Sequence, residues 1–235
     1  MATNQVGGPL QYASAEAIAR FERAATASVP GRDHAMRMAA ALLAGRVPES
    51  GSLLSVGIGT GAEMSLLAAA RPDWHLTGID PSAPMVEAAR DRLTREGVIG
   101  RAALAVGTVD ALPAEPAFDG ATCFMVLPLL GNDGPKRALL DGIAARLKPG
   151  ASFVLTTVYT DASSDEMAQA WRWFQRGMGQ SDAEVEALAA QVRGEIHPIS
   201  SADLSKLLSA AGFTAPRQYY QALWFGGWIT EKQDR

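Results

Sequence analysis

The segment at 53–63, LLSVGIGTGAE, constrains the fold of this chain more than any other. Its first part, LLSV at 53–56, is a short and mostly apolar run, typical of a strand covered on both faces. Three glycines follow at every second position, and a glycine lets the backbone approach a ligand closely because it has no Cβ. A helix is predicted next, since Thr60 and Glu63 have the spacing of a capping box. A strand, a glycine turn and a helix N-terminus together are typical of a nucleotide-cofactor site.

The rest of the chain alternates in the same way between apolar runs and helical segments. Strands are predicted at 53–57, 75–79, 102–106, 118–126 and 151–158, and helices at 14–28, 33–46, 61–70, 82–96, 135–147 and 201–211. Two more helices interrupt this alternation within 162–193, and two final strands are predicted near 214–220 and 222–230. Such alternation indicates an α/β fold, in which a doubly wound, mostly parallel sheet carries helices on both faces.

Two acidic residues follow the second and third predicted strands. Asp80 ends the run HLTGID, 23 residues after Gly57, and a ribose-binding acid follows such a glycine turn at about this distance. Asp110 ends the run AALAVGTVD. Because neighbouring parallel strands end at the same edge of a sheet, we expect the two carboxylates to lie side by side. Either acid alone is more often a helix N-cap or a loop residue, but together with the glycine turn they favour a binding site.

Five segments resemble class I S-adenosylmethionine-dependent methyltransferases, and they occur in the order of that family. They are SVGIGTG at 55–61, GIDPSAPMVEAAR at 78–90, GTVDALP at 107–113, FDGATCFMVL at 118–127 and LKPGASFVL at 147–155. The resemblance covers residues 50–160 and implies a Rossmann-like fold of seven strands with an antiparallel C-terminal edge strand. It also implies S-adenosylmethionine as the cofactor. Ser55 departs from the family, which usually has Asp or Glu there to hold the amino-acid part of the cofactor.

Segments near both ends are similar to the carboxy-S-adenosylmethionine synthase branch, whose enzymes make a carboxylated cofactor used to modify a wobble uridine in tRNA. These segments are ASVPGRDHAMRMAAALLA at 27–44 and AGFTAPRQYYQALWFGGWITEK at 211–232. The branch has Tyr, Asn and Arg where this chain has Arg32, Phe124 and Leu207. That Arg grips the added carboxylate, and an apolar leucine cannot pair with a carboxylate. The resemblance therefore implies a shared architecture more than a shared reaction.

The resemblance also implies which residues bind S-adenosylmethionine. The candidates are Arg32, Gly57, Ile58, Gly59, Gly61, Asp80, Pro81, Met85, Val109, Asp110, Ala111 and Phe124. Asp80 would accept hydrogen bonds from both ribose hydroxyls, and Asp110 would accept one from the adenine amine, beside the Ala111 N–H. Met85 and Val109 would pack on the base. The carbonyl of Phe124 would lie near the amino group of the cofactor.

The methyl acceptor is expected to bind outside this common core. We predict one domain, 1–235, with an N-terminal helical cap at 10–46, a cofactor-binding core at 50–160 and a helical insertion at 162–193. Candidate acceptor residues are Tyr12, Arg32, His34, Tyr159, Trp171, Arg172, Gln175 and His197. The segment at 171–176 places Trp171, Phe174 and Gln175 on one helix face, which fits either a pocket wall or a helix packed on the core. A catalytic base is not identified.

Composition narrows the partners and the compartment. The 235 residues carry a net charge of −4 and no Lys/Arg cluster, whereas nucleic-acid-binding domains have basic patches. A small organic acceptor is therefore expected, and a nucleic acid is not. Cys123 is the only cysteine, which suits a core position and a cytoplasmic protein. No run of 18 apolar residues indicates a membrane span, no ligand set indicates a metal, and a homodimer is left open.

Three alternative functions remain open from the sequence. A carboxylated-cofactor synthase or binding protein fits the branch resemblance, but Leu207 and Phe124 argue against it. A nicotinamide-dependent oxidoreductase fits the spacing Gly57-x-Gly59-x-x-Ala, but it leaves Asp110 unexplained. A non-catalytic cofactor sensor or partner subunit fits a cofactor loop beside a pocket that has no recognisable base.

Overall fold

The computed structural model of the protein describes residues 14–234, in which seven strands form one sheet. The strands are β1 Ser52–Val56, β2 His75–Asp80, β3 Ala102–Val106, β4 Phe118–Phe124, β5 Leu147–Val158, β6 Arg217–Ala222 and β7 Phe225–Glu231. Their order in the sheet is β3-β2-β1-β4-β5-β7-β6. The first five strands in this order, β3, β2, β1, β4 and β5, pair in parallel. Strand β7 is antiparallel to both of its neighbours. The predicted α/β class with a mostly parallel, seven-stranded sheet is confirmed.

The C-terminal strand β7 is the antiparallel strand, as expected, but it lies inside the sheet and β6 forms the edge. The reason is that β6 and β7 form a hairpin whose second strand pairs with β5, from Ser152↔Glu231 to Val158↔Phe225. Strand β5 also begins earlier than the predicted start at 151, because Leu147 pairs with Phe118 ahead of a register shift in β4.

Eight α-helices of the described chain cover both faces and one end of the sheet. They are α1 Ala15–Ser28, α2 Arg32–Ala44, α3 Ala62–Ala70, α4 Ala83–Arg95, α5 Pro135–Arg146, α6 Asp165–Gly177, α7 Asp182–Glu195 and α8 Ser201–Ala210. Helices α2, α3 and α4 pack on one face, here called the α3 face, and bury Leu43, Met64 and Leu93. Helices α5 and α8 pack on the opposite α5 face through Leu140 and Leu208. Among the helices within 14–234, none is long and apolar enough to cross a membrane.

Helices α1, α6 and α7 and the β6–β7 turn form what we call the cap, at the carboxyl ends of β4 and β5. Trp171 of α6 and Trp224 of the turn pack in one apolar cluster with Val158, the last residue of β5. Ser164 and Ser181 begin α6 and α7 as N-caps, since their side chains accept hydrogen bonds from N–H groups of the first turn. The two helices predicted within 162–193 are therefore present.

Two hydrogen bonds join the N-terminal helices to distant parts of the chain. The Trp171 indole Nε1–H donates to the carbonyl of Ser28 at 2.6 Å, across 143 residues. The Tyr220 hydroxyl of β6 donates to the carbonyl of Pro30, across 190 residues. The cap and the turn between α1 and α2 are thus held by late elements of the sequence.

The start of α3 differs from the prediction. Gly61, in a left-handed conformation, is the N-cap, so the predicted capping box of Thr60 and Glu63 is wrong. The Thr60 hydroxyl donates instead to Glu22 of α1, and the Glu63 carboxyl accepts from Ser55 of β1. Both side chains make contacts between elements, and these take the place of the local cap.

Candidate functional site

The candidate site lies at the carboxyl ends of β1 and β4, where the strand order reverses. The chain leaves β1 for β2 on one side and later returns to β4 on the other side of β1. Ligands of open α/β sheets bind in the crevice that forms at such a switch point. The glycine turn, Gly57–Gly61, follows β1 directly and therefore borders this crevice.

The three glycines of this turn serve different purposes. All have positive φ, at 72° for Gly57, 49° for Gly59 and 80° for Gly61. A Cβ at Gly57 would lie 2.2 Å from Val126, and one at Gly61 would lie 3.0 Å from Ala89, so both permit close packing within the protein. A Cβ at Gly59 would meet no described atom within 4 Å. Gly59 is therefore the position at which a ligand can approach the backbone.

Asp80 is fixed against the glycine turn by two backbone hydrogen bonds. Its Oδ2 accepts the N–H of Gly59 and its Oδ1 accepts the N–H of Ser82, each at 2.9 Å. The residue is 8% exposed, and burial raises the pKa of its carboxyl while the two hydrogen bonds lower it. Each carboxylate oxygen retains a lone pair for a further donor. Asp80 thus stands beside the open glycine as a preoriented acceptor, where the sequence predicted a ribose-binding acid.

A buried acid that the sequence analysis missed as a site residue lies behind the glycine turn. Ser55 Oγ donates to Glu63 Oε1 at 3.0 Å, and Ser55 stands opposite Thr122 in the pairing of β1 and β4. Burial raises the pKa of Glu63 to about 7, against the hydroxyls of Thr122 and Ser55, which lower it. The missing acid at Ser55 was the signal for this residue, but the capping-box spacing gave Glu63 another role.

Arg32 places a positive charge near the Glu63 carboxyl. It is the first residue of α2 and lies 3.6 Å from Asp33, its salt-bridge partner. Burial lowers the pKa of its guanidinium, and the charges of Asp33, Glu22 and Glu63 raise it. The predicted cofactor residue Arg32 is therefore close enough to Glu63 for their charges to interact.

Helix α1 is fastened to the glycine turn by Glu22, which the sequence analysis did not single out. Glu22 accepts a hydrogen bond from the Thr60 hydroxyl at 2.7 Å and pairs with Arg92 of α4. Arg92 in turn donates from Nε to the Thr60 carbonyl at 2.9 Å. These partners are 38 and 70 residues from Glu22, so no local pattern could have indicated the contact.

The side chain of Asp110 lies against α5, whereas that of Asp80 is held by the glycine turn. Asp110 is exposed, and its Oδ1 lies 4.0 Å from Arg146, on the opposite face from α3. The Ala111 N–H donates to the Thr108 carbonyl at 2.9 Å within a short 3₁₀ turn that contains Asp110. The adenine-binding role of Asp110 and Ala111 stays a prediction that this geometry does not favour.

The other predicted cofactor residues differ in their exposure. Ile58, Met85 and Val109 are buried, Phe124 is partly buried against the α3-face core, and Pro81 is exposed. Met85 and Val109 are apolar, as a pocket for the base requires, but both side chains already pack in the core. No group of three or more His, Cys, Asp or Glu side chains within 14–234 could hold a metal ion.

The predicted acceptor residues separate into three sets. Tyr12 lies outside the described residues, and His34 is exposed on α2. The side chains of Tyr159 and Arg172 contact Trp228 and Glu186, and the backbone carbonyl of His197 accepts a hydrogen bond from Lys136. Trp171 and Gln175 lie buried on one face of α6, as predicted. Gln175 is fully buried, and neither polar atom of its side chain has a hydrogen-bond partner in the described chain.

Comparisons with known proteins agree with this geometry. A family model described as a methyltransferase domain matches residues 31–217. A carboxy-S-adenosyl-L-methionine synthase of Chromohalobacter salexigens is 27% identical over 222 residues, which are 92% of this chain and 81% of that protein.

Solved structures share the fold at low sequence identity. Mitomycin 7-O-methyltransferase MmcR superposes with a TM-score of 0.68 at 18% identity, over 95% of this chain and 59% of its own. Human N-acetylserotonin methyltransferase, solved with S-adenosylmethionine, gives 0.66 at 18% identity, over 99% and 61%. This chain therefore spans about three-fifths of the length of these two proteins.

Proposed function

Because the chain belongs to the S-adenosylmethionine-dependent methyltransferase family, we propose that it methylates a small organic molecule by in-line transfer. The observation that carries this proposal is the pairing of Gly59 and Asp80. Gly59 leaves its backbone open to a ligand, and its N–H fixes the Asp80 carboxylate beside that opening.

The residues present fit this cofactor. An acid beside an open glycine suits a ribose diol, because each carboxylate oxygen can accept a further hydrogen bond. When bound, the cofactor would supply a methyl group on an electrophilic sulfonium.

The protein's own contribution to the reaction is to hold the acceptor in line and to exclude water. Holding two reactants in line can contribute about 7–11 kcal/mol, so no covalent catalyst is required. The cap lies at the end of the sheet where the glycine turn emerges, and Glu22 ties α1 to that turn. We therefore assign acceptor binding to the cap, with Trp171 and Gln175 as its first candidates.

A small acceptor is supported by the charge of the chain. The net charge is −4, whereas RNA binding relies on clustered cations that displace counterions. A cytoplasmic location and a homodimer remain predictions.

The alternative is a function with the carboxylated cofactor, which the relation to a carboxy-S-adenosylmethionine synthase favours. Against it, Leu207 is part of α8 and packs on the α5-face core. Arg32 is the cation that could replace the missing Arg. Competition between the two cofactors decides, because a preference for the carboxylated form that is lost in Arg32→Ala would establish the alternative.

Calorimetry tests the proposed function directly. We expect S-adenosylmethionine and its demethylated product to bind with micromolar affinity, NAD to give no heat, and tRNA to bind little even at low salt. Tight NAD binding without binding of either adenosyl ligand would refute the proposal. Salt-sensitive, submicromolar tRNA binding would refute the small acceptor.

A further inference from the structure

A polar group lies under the glycine turn on the α3 face, and we call it the Glu63 cluster. It consists of Ser55, Glu63 and Thr122, together with Arg32, whose charge acts on Glu63. Ser55 and Thr122 face each other across β1 and β4, and Glu63 and Arg32 come from the first turns of α3 and α2. Ser55 stands only two residues before Gly57, so the cluster is next to the crevice.

The cluster has unused hydrogen-bonding capacity. Glu63 is 6% exposed, and the hydrogen bond that it accepts within 14–234 comes from Ser55. The Thr122 hydroxyl is completely buried and close enough to this carboxyl to lower its pKa, but it makes no hydrogen bond of regular geometry among the described residues. Burying an acid with one donor and an unpartnered hydroxyl costs free energy. Such an arrangement is expected where a ligand brings the missing partners.

The chemistry of the cluster selects the ligand group. An ammonium group offers three N–H donors, which suit Glu63 and Thr122. A carboxylate suits the planar guanidinium of Arg32, which can donate two parallel hydrogen bonds. An adjacent acid and cation therefore fit the two charged groups of an α-amino acid.

We propose that Glu63 takes over the work of the missing strand-one acid and binds the α-ammonium group of the cofactor, while Arg32 binds its carboxylate. The inference rests on the proposed function, since it names the residues for one end of that ligand. In this chain the acid lies on α3 instead of β1. Ser55, at the position of the family's acid, donates a hydrogen bond to it. Glu63 is thus a specificity-determining residue that the family pattern does not indicate.

The first test compares two ligands that differ at this end. S-adenosylhomocysteine carries the amino-acid group, and 5′-methylthioadenosine lacks it. Glu63→Ala should weaken binding of the first at least tenfold and leave the second unchanged. Moving the acid back, in the double variant Ser55→Asp/Glu63→Ala, should restore most of the loss. Glu115→Ala, at an exposed loop position, is the matched control and should change neither affinity.

The outcomes separate the two proposals. If the unmodified protein binds neither adenosyl ligand, the proposed function fails. If it binds both and Glu63→Ala weakens them equally, or the folded double variant recovers nothing, Glu63 is only structural and this inference fails.

A second measurement uses Glu63→Gln, which keeps the shape of the side chain and serves if Glu63→Ala does not fold. The pKa of Glu63 is about 7 because of burial, and a bound ammonium requires the ionised form. Binding of S-adenosylhomocysteine should therefore weaken about tenfold from pH 8 to pH 6, by proton linkage. The pH dependence should vanish in Glu63→Gln and be absent for 5′-methylthioadenosine. A slope that persists in Glu63→Gln would overturn the assignment.

The other groups that face Glu63 do not produce this slope. They are Arg32 from α2, Cys123 from β4 and Tyr219 from β6. Burial raises the pKa of Cys123 and of Tyr219 above their ordinary values, so both stay neutral between pH 6 and pH 8. Arg32 stays charged in this range.

Discussion

The glycine turn and the cap border the same crevice, but they are built in opposite ways. The turn is held by contacts within a short stretch of chain, such as the hydrogen bond from Gly59 to Asp80 across 21 residues. The cap is held by contacts across 38 to 190 residues, among them those of Glu22 and Tyr220. The pairing of Gly59 with Asp80 therefore depends on a local motif, whereas the proposed acceptor pocket depends on the packing of distant segments. Variants in the two regions should fail in different ways.

The strongest expected contrast lies inside the turn. Gly57→Ala combines a positive φ with a Cβ 2.2 Å from Val126 and should destabilise the fold by about 2–5 kcal/mol, from backbone strain and overpacking. Gly59→Ala has the strain without the clash, so it should stay folded and lose cofactor affinity. Urea unfolding and calorimetry on both variants measure the difference. Equal loss of stability at the two positions would contradict the assignment of Gly59 to the ligand.

The next contrast compares the two predicted acids. Asp80→Ala removes the acceptor of the ribose hydroxyls and should weaken cofactor binding by roughly tenfold to a hundredfold, since a hydrogen bond to a charged group contributes about 1.5–3 kcal/mol. Asp110→Ala should have little effect, because its carboxylate faces Arg146. Titration calorimetry decides between them. A loss for Asp110→Ala as large as that for Asp80→Ala would restore its adenine-binding role.

The smallest expected effect belongs to the cap. Gln175→Leu removes a buried amide that has no hydrogen-bond partner within 14–234, so the free energy of unfolding should rise by about 1–3 kcal/mol. Cofactor affinity should not change. If the amide serves the acceptor, turnover should fall in the same variant. Lower stability would show instead that Gln175 has a structural partner, and Gln180→Leu on the adjoining turn is the control.

The sequence predicted what depends on short spacing and pattern. The α/β class follows from the alternation of strands and helices, and the glycine turn with Asp80 follows from one motif. Glu63 was assigned wrongly because its spacing from Thr60 suits a helix cap, whereas its carboxyl accepts a hydrogen bond from Ser55. The contact of Asp110 with Arg146 of α5 could not be predicted, because it depends on how α5 packs against the turn that follows β3. Glu22 could not be found, since its partners are brought near only by the packing of α1 against α4.

The hydrogen bond from the Tyr220 hydroxyl to the Pro30 carbonyl affects the order in which the parts of the protein fold. Strand β6 reaches the sheet only through β7, which pairs with β5. A growing chain that has reached α7 can pair β1 to β5 and can join Trp171 to Ser28, but the hydrogen bond to Pro30 must wait for β6. Closing such long loops is slow, because the chain loses conformational entropy before the new contacts stabilise it. Pulse-labelled hydrogen exchange during refolding should show the amides of α1 protected after those of β1. An interrupted chain would then present an open crevice, and only a finished one would cover its substrate.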